Sequence, residues 1–445
     1  MLKMERGVPA ILGLMTVLVI AIVALSSVDT DEGFREVPVL EDAELKVFGN
    51  ANLDRHIDLS DLDVIRTLID VGASVEDHPE ADANLDGIID ETDLDVVGAI
   101  ITGEPATVWH LNYHDTDGDG VTDTEVVSTQ YPVTSAIALG TGNNLMLLYC
   151  LGIHDQIKGA TYTSSADGGL YGDVYLDESR VVKLGTSMTA IELEGGRVGS
   201  SDVISRENVT ALLAYDSTLC IDNEDEFEAM GVDVIRVPSS SAVRGDFIHT
   251  VMLMGLLFRE VGNADAYLEH GLEVFDHVSS ALKDAPATTA AVSIMTGRLS
   301  VGDSDYIGYL SLIGVGYPLS SGDFGGKKVI AIADHPEIYL QYDFDRIIHA
   351  RSGLGYGQTP DSNEDNRRKY TAPFSDWEHA DTGQYVVSTS LPIPLRVAYM
   401  AYAVYPDLLD LDVLNGFHQG FVDDIYSKEG LDITDMEFIL VPEVV

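Results

Sequence analysis

The stretch Asp246–Asp284, DFIHTVMLMGLLFREVGNADAYLEHGLEVFDHVSSALKD, decides how the rest of the chain is read. Apolar residues recur at helical spacing along almost all of it. The pattern breaks only near Gly262, where Asn263 or Asp265 can cap a restart. A helix of that length is a spine, so separate bodies are expected on its two sides. Upstream, short apolar runs alternate with helical stretches: strands are predicted at 133–139, 157–161, 217–221 and 232–237, and helices at 145–151 and 225–230. Downstream the alternation resumes, with strands at 290–295, 328–333, 343–349 and 384–389 and a helix at 306–313. A core helix at 395–404 is stopped by Pro406, and an amphipathic helix at 413–425 closes the chain. Such alternation requires crossovers and mainly parallel sheets. The expected fold is therefore α/β, with two three-layer lobes joined by a long helix and preceded by a small all-α module. The boundaries are 1–28 (export segment), 29–45 (acidic linker), 46–104 (module), 105–245 (first lobe), 246–284 (spine) and 285–445 (second lobe).

The 445 residues include 25 basic and 74 acidic side chains, a formal charge of −49, and 45 % are hydrophobic. That apolar fraction is globular rather than disordered. A field this negative repels phosphate backbones and anionic headgroups, so no nucleic-acid partner is expected. The excess of Asp and scarcity of Lys fit either salt adaptation or abundant calcium loops. Cys150 and Cys220 read as buried small hydrophobes, a single long-range disulfide being the alternative. Lys3 and Arg6 precede an almost uncharged run from Val8 to Leu25, which is an export signal: a membrane anchor if retained, a secretion signal if cut near Ala24-Leu25-Ser26. The expected location is the extracellular face, at the cell surface if the segment is retained as an anchor and secreted if it is cleaved.

Residues 50–69 overlay 82–101 at a constant offset of 82 − 50 = 32. The shared skeleton is Asn50/Asp82, Asn52/Asn84, Asp54/Asp86, Asp58/Asp90 and Asp61/Asp93, positions 1, 3, 5, 9 and 12 of a calcium loop. The main-chain carbonyl of His56/Ile88 takes position 7. Two loop–helix units that end in Asp rather than Glu resemble the type I dockerin module, which implies structural Ca2+ and a cohesin-like partner. Position 6 is Gly87 in the second loop but Arg55 in the first, so the second should bind more tightly. The alternative is Asx-rich turns that only cap helices. A third acidic loop, Asp115, Asp117, Asp119 and Asp123, reads equally as a hairpin tip or a weak calcium site.

From about Val108 onward the order of elements resembles the class III solute-binding proteins of ABC importers, which capture iron complexes, haem or cobalamin. Several stretches carry the likeness: Tyr113–Leu139, with Asp119-Gly120 and Pro132 but without the usual arginine; Asn208–Ile221, with Tyr215-Asp216 in place of Pro-Asp; His335-Pro336-Glu337; Phe344–Ile348; and Ala398-Tyr399-Met400 followed by Tyr405-Pro406. The resemblance implies an interlobe ligand site, an importer permease as partner and no enzymatic chemistry. By position, the cleft-facing candidates are Tyr162, Ser164, Ser165, Asp167, Tyr171, Tyr175, Ser187 and Ser239–Arg244 in the first lobe. In the second they are Arg298, His335, Arg351, Tyr356, Trp377 and His379. Aromatic faces with a few arginines suit a bulky anionic chelate. The rival readings are a dockerin-bearing surface hydrolase and a calcium-dependent adhesion or scaffold protein. No H-E-x-x-H, G-x-S-x-G or P-loop motif supports the first of these.

Overall fold

The computed structural model describes residues 40, 42–114, 123–139, 142–161, 169–175, 177–186, 191, 200–215, 221, 224–301, 304–322, 324, 327–426 and 431–442. The chain divides into two units, Met1–Asp42 and Ala43–Val445, and every element below belongs to the second. The export segment and most of the acidic linker lie outside the described residues. Among those described, no helix is long and apolar enough to cross a membrane.

The repeat forms two short helices, α1 (Leu59–Val71) and α2 (Glu91–Thr102). Asp58 and Asp90 are their N-caps, each closed into a capping box by Asp61 or Asp93. Gly72 and Gly103 end them in the left-handed conformation that glycine adopts without strain. An antiparallel hairpin follows, β1 (Ala106–His114) and β2 (Asp123–Tyr131).

The first lobe is built from β3 (Ala136–Ala138), α3 (Gly142–Cys150), β4 (Ile157–Thr161), β5 (Val182–Gly185), α4 (Ser200–Glu207), β6 (Ala211–Tyr215), α5 (Glu224–Glu228) and β7 (Asp233–Val237). Its sheet is wholly parallel, in the order β5-β4-β3-β6-β7. After the helices α6 (Arg244–Leu257) and α7 (Val261–Ala281) come β8 (Ala290–Ser293), β9 (Arg298–Ser300), α8 (Asp305–Leu312), β10 (Val329–Ala331), β11 (Arg346–Arg351), α9 (Pro360–Thr371), β12 (Gln384–Ser388), α10 (Ile393–Val404), α11 (Leu411–Gly420) and β13 (Ile439–Leu440). The second sheet is β13-β12-β11-β8, parallel except for its β13 edge.

Alternation along the strands sorts side chains into separate cores, as a pleated sheet covered on both faces demands. Ile137, Leu212 and Val234 pack outward in the first lobe, whereas Ala136, Leu213 and Ile235 face the helices α3, α6, α7 and α10. In the second lobe Ala291 and Ile347 point outward, and Val292 and Ile348 join the same inner core. The lobes are thus two sandwiches sharing one helical filling.

Two expectations shift. The spine is a pair of helices broken at 258–260, with Arg259 in left-handed conformation (φ 62°), not one helix interrupted near Gly262. Neither Asn263 nor Asp265 caps the restart. Gly255 sets the corner: a Cβ there would lie 2.4 Å from that of Ala264, so the two helices cross too closely for one continuous rod. Of the strand expected at 217–221, residues 217–220 lie outside the described residues and Ile221 forms a parallel bridge to Ile191; a strand not expected there occupies 211–215, where Asn208 (φ 49°) follows the end of α4 and the buried run Ala211–Ala214 enters the sheet.

Candidate ligand site and candidate calcium loops

Ligands of open α/β sheets lie beyond the carboxyl ends of parallel strands, and here those ends converge from both lobes. Arg351 ends β11 and is 6 % exposed. Its Nη1 donates to the carbonyls of Ser293 and Ala350, and its Nη2 donates to Ser293 Oγ at 2.9 Å. The guanidinium covers the Tyr370 ring at 4.6 Å. Burial lowers its pKa to about 10, leaving it charged at neutral pH. Arg396, 3 % exposed on α10, reaches across the lobes: Nη1 donates to Asn143 Oδ1 at 2.9 Å, and Nη2 donates to the carbonyls of Thr389 (2.7 Å) and Leu391 (2.9 Å). Tyr309 makes a second crossing, its hydroxyl donating to Ser240 O at 2.7 Å. Among the described residues neither arginine lies within ion-pair distance of a carboxylate, but burial of Arg396 is offset by Tyr306, Tyr309 and the nearby Asp305 carboxylate, which together raise its pKa.

The space left between these groups is a cavity of about 10 Å³, room for roughly one water. Ser239, Thr250 and Arg396 line it, and Ser239 Oγ, Thr250 Oγ1 and Arg396 Nε have no hydrogen-bond partner. The lobes therefore meet in a latched contact here, and the wide cleft expected from the sequence is not what the described residues form. A bulky guest requires this contact to open.

The other sequence candidates scatter. Tyr162, Ser164, Ser165, Asp167 and Ser187 lie outside the described residues. Tyr171 and Tyr175 are buried in the inner core, 6.4 Å apart, and Tyr175 donates to Ile153 O. Arg244 pairs with Asp276 at 2.9 Å on the solvent side, and Arg298 is exposed at the start of β9, opposite Ala331 of β10. His335 lines a separate second-lobe pocket of about 280 Å³ with Lys327, Glu337 and Tyr342. Tyr356 bonds His418 beneath the surface. Trp377 is buried against Phe344, and His379 stands edge-on to its ring. The residues that sequence reasoning missed are Arg396, Asn143 and Tyr309. A signal existed for the first: Arg396 is the only charged residue in the apolar run of α10, and a charge there must be held by polar groups.

The repeated loops are alike at most ligand positions but differ at position 6, where Gly87 is left-handed (φ 88°) and Arg55 is not, and at position 1, where Asp82 accepts from Asp86 N and Gly87 N. Asp61 accepts from Asn52 N (3.2 Å) and Asp58 N (2.8 Å), and Asp93 accepts from Asn84 N (3.2 Å) and Asp90 N (2.8 Å). Asp54 accepts from His56 N at 2.8 Å, and Asp86 accepts from Ile88 N at 3.0 Å. Leu53 and Leu85 take the same left-handed turn. In this arrangement the carboxylates hold backbone N–H groups, and among the described residues no three acidic or histidine side chains close on a single point. Capping is thus a role these aspartates play. Two observations fit a cation as well. Burial pushes Asp61 and Asp82 up to about 6, so their ionised forms lack a compensating charge. Asn50, wholly buried at position 1 of the first loop, keeps Oδ1 without a partner while Nδ2 donates to Leu45 O and Asp54 O. In the third acidic loop only Asp123 is described, at the start of β2.

No protein-family model and no curated protein sequence matches the chain. Among solved structures, the TroA-like periplasmic binding protein FepB from Veillonella parvula aligns with a TM-score of 0.54 at 14 % identity, covering 72 % of this chain and 97 % of that one. The chain has the TroA-like binding-protein fold. A periplasmic solute-binding protein from Veillonella parvula (TM-score 0.49, 14 % identity, 73 % and 95 % covered) and Helicobacter pylori CeuE with Ni(II) bound (0.48, 13 %, 71 % and 95 %) are more distant.

Proposed function

We propose that this protein is the extracytoplasmic capture component of an ABC importer. It takes up an anionic metal chelate, of the ferric-siderophore, haem or corrinoid class, between its lobes and hands it unchanged to a permease. The observation that carries this reading is the pair Arg351 and Arg396: in a chain of net charge −49, two buried guanidiniums at the meeting strand ends have no carboxylate ion pair among the described residues. Burial disfavours the charged form of Arg351 in particular, a cost that an arriving anion would recover. The surface-hydrolase reading has no motif to support it. The test is fluorescence of Trp109 and Trp377 in the full chain during titration with a ferric chelate, haem or a corrinoid: saturable quenching supports capture, and turnover of a polysaccharide or peptide overturns it.

We also propose that the two loops of the repeat hold Ca2+ through Asn50, Asn52, Asp54, Asp58 and Asp61 with the His56 carbonyl, and through Asp82, Asn84, Asp86, Asp90 and Asp93 with the Ile88 carbonyl. A bound cation would neutralise the buried carboxylates. Calorimetric titration of the full chain is expected to show two sites, the tighter in the second loop, which has four carboxylates to the first loop's three. Asp93→Ala should remove the tighter one. Heat of uptake unchanged in that variant would contradict the assignment.

A further inference from the structure

The first loop of the repeat does not stand clear of the lobes. His56, whose carbonyl takes position 7, puts Nε2 2.9 Å from Asp265 Oδ1 on α7. Ile57 beside it and Val96 on α2 pack against the inner core. The segment leading into the loop is tied down as well: Lys46 N donates to His249 Nδ1 on α6 at 3.1 Å, Phe48 N donates to Trp109 O at 2.9 Å, and Val47 bridges to His110. At the far end of the module, Tyr131 donates to Ile100 O at 3.0 Å, and the Arg259 guanidinium lies where a Cβ on Gly103 would be. Arg259 and Asp265 flank the corner at which α6 turns into α7. The module therefore contacts the interlobe helices at the point where they change direction.

We propose that the module's partner is this corner of its own chain rather than a separate docking protein, and that calcium in the first loop stiffens the α6–α7 corner through the His56–Asp265 contact. This inference rests on the calcium reading above. A cation held by the His56 carbonyl fixes the backbone that carries the imidazole, and the imidazole holds the first turn of the spine. At the corner Arg259 has a left-handed backbone without being glycine, and Glu260, at the N-cap position of α7, makes no side-chain capping bond, so the corner is held by its backbone hydrogen bonds and by Asn263, which donates to Glu260 Oε2 and Leu151 O.

The experiment is amide hydrogen exchange of the full chain with excess Ca2+ and with a chelator, alongside calorimetric calcium uptake. Calcium should slow exchange at the amides of Phe258, Arg259, Glu260 and Ala264, which hydrogen-bond across the corner, by about tenfold or more. Asp265→Ala should keep both calcium sites and lose most of that protection, falling to about threefold or less. Calcium uptake with exchange at 258–264 unchanged overturns the inference and leaves the calcium reading standing, as does full protection retained in Asp265→Ala. Absence of uptake overturns both.

Discussion

Lowering the pH from 7 to 5 should destabilise this protein before its carboxylates titrate in bulk. Four histidines are fully buried: His110, His249, His349 and His418. Desolvation pushes His110 down to about 4, His349 and His418 to about 3, and His249 well below the ordinary value. Each is held as the neutral ring. His418 accepts from Tyr356 at Nε2 and, with its proton on Nδ1, donates to Tyr399 Oη at 3.0 Å. His110 contacts Thr129 Oγ1 at 2.9 Å and Leu111 O at 3.2 Å, and His249 Nδ1 accepts from Lys46 N. Protonation would cost His418 and His249 those acceptor roles. A histidine whose folded pKa is depressed contributes stability that is present above about 6.5 and is lost as the pH falls toward the folded value. Between 6.5 and 5 the loss is about 2 kcal/mol per ring, so roughly 6 kcal/mol for the three rings with values below 5, which is comparable to a whole domain's stability. Asp61 and Asp82, raised to about 6, run the other way in calcium-free protein and offset part of it. Denaturant midpoints measured from pH 7 to 5 at fixed ionic strength should fall steeply. A flat profile would mean that these rings are accessible to solvent in the folded state.

Arg396→Ala should cost about 3–5 kcal/mol. The substitution removes the donors that Arg396 supplies to Asn143 Oδ1 and to the carbonyls of Thr389 and Leu391 in a buried setting, and it empties volume between the lobes. Arg396→Met separates the two contributions: it restores much of the volume but none of the donors, so it should recover less than half of the loss. A methionine variant as stable as the parent would show that Arg396 serves packing alone. The expected readout is a lower denaturation midpoint with unchanged slope, since a latch between already packed lobes does not alter the surface exposed on unfolding.

Much of the fold was legible because burial on both faces of a parallel sheet leaves continuous apolar runs. Ile157–Thr161 is a strand over the span read from the sequence, and the alternation on either side of the spine gave two sheets. A break in the spine was legible near Gly262, but its place at 258–260 was not, since that depends on the Gly255–Ala264 contact between helices rather than on a breaker residue. The site was read less well. Arg351 was nominated from its place after a strand, but Arg396, the arginine that reaches across the lobes, sits in a helix read only as apolar core. Tyr171 and Trp377 show the converse: position along the chain put them on the cleft side, whereas packing turns both rings inward. The direction of a loop side chain is a tertiary property that spacing does not encode.

One titration bears most directly on capture between the lobes: a ferric chelate of net negative charge added to the full chain, and to Arg351→Ala, with the dissociation constant read by calorimetry. Loss of one charge-assisted contact predicts a constant about 5- to 150-fold weaker in the variant, or about 1–3 kcal/mol. Equal constants, or no saturable uptake by the parent protein, would contradict the proposal that the buried arginines receive an anionic guest.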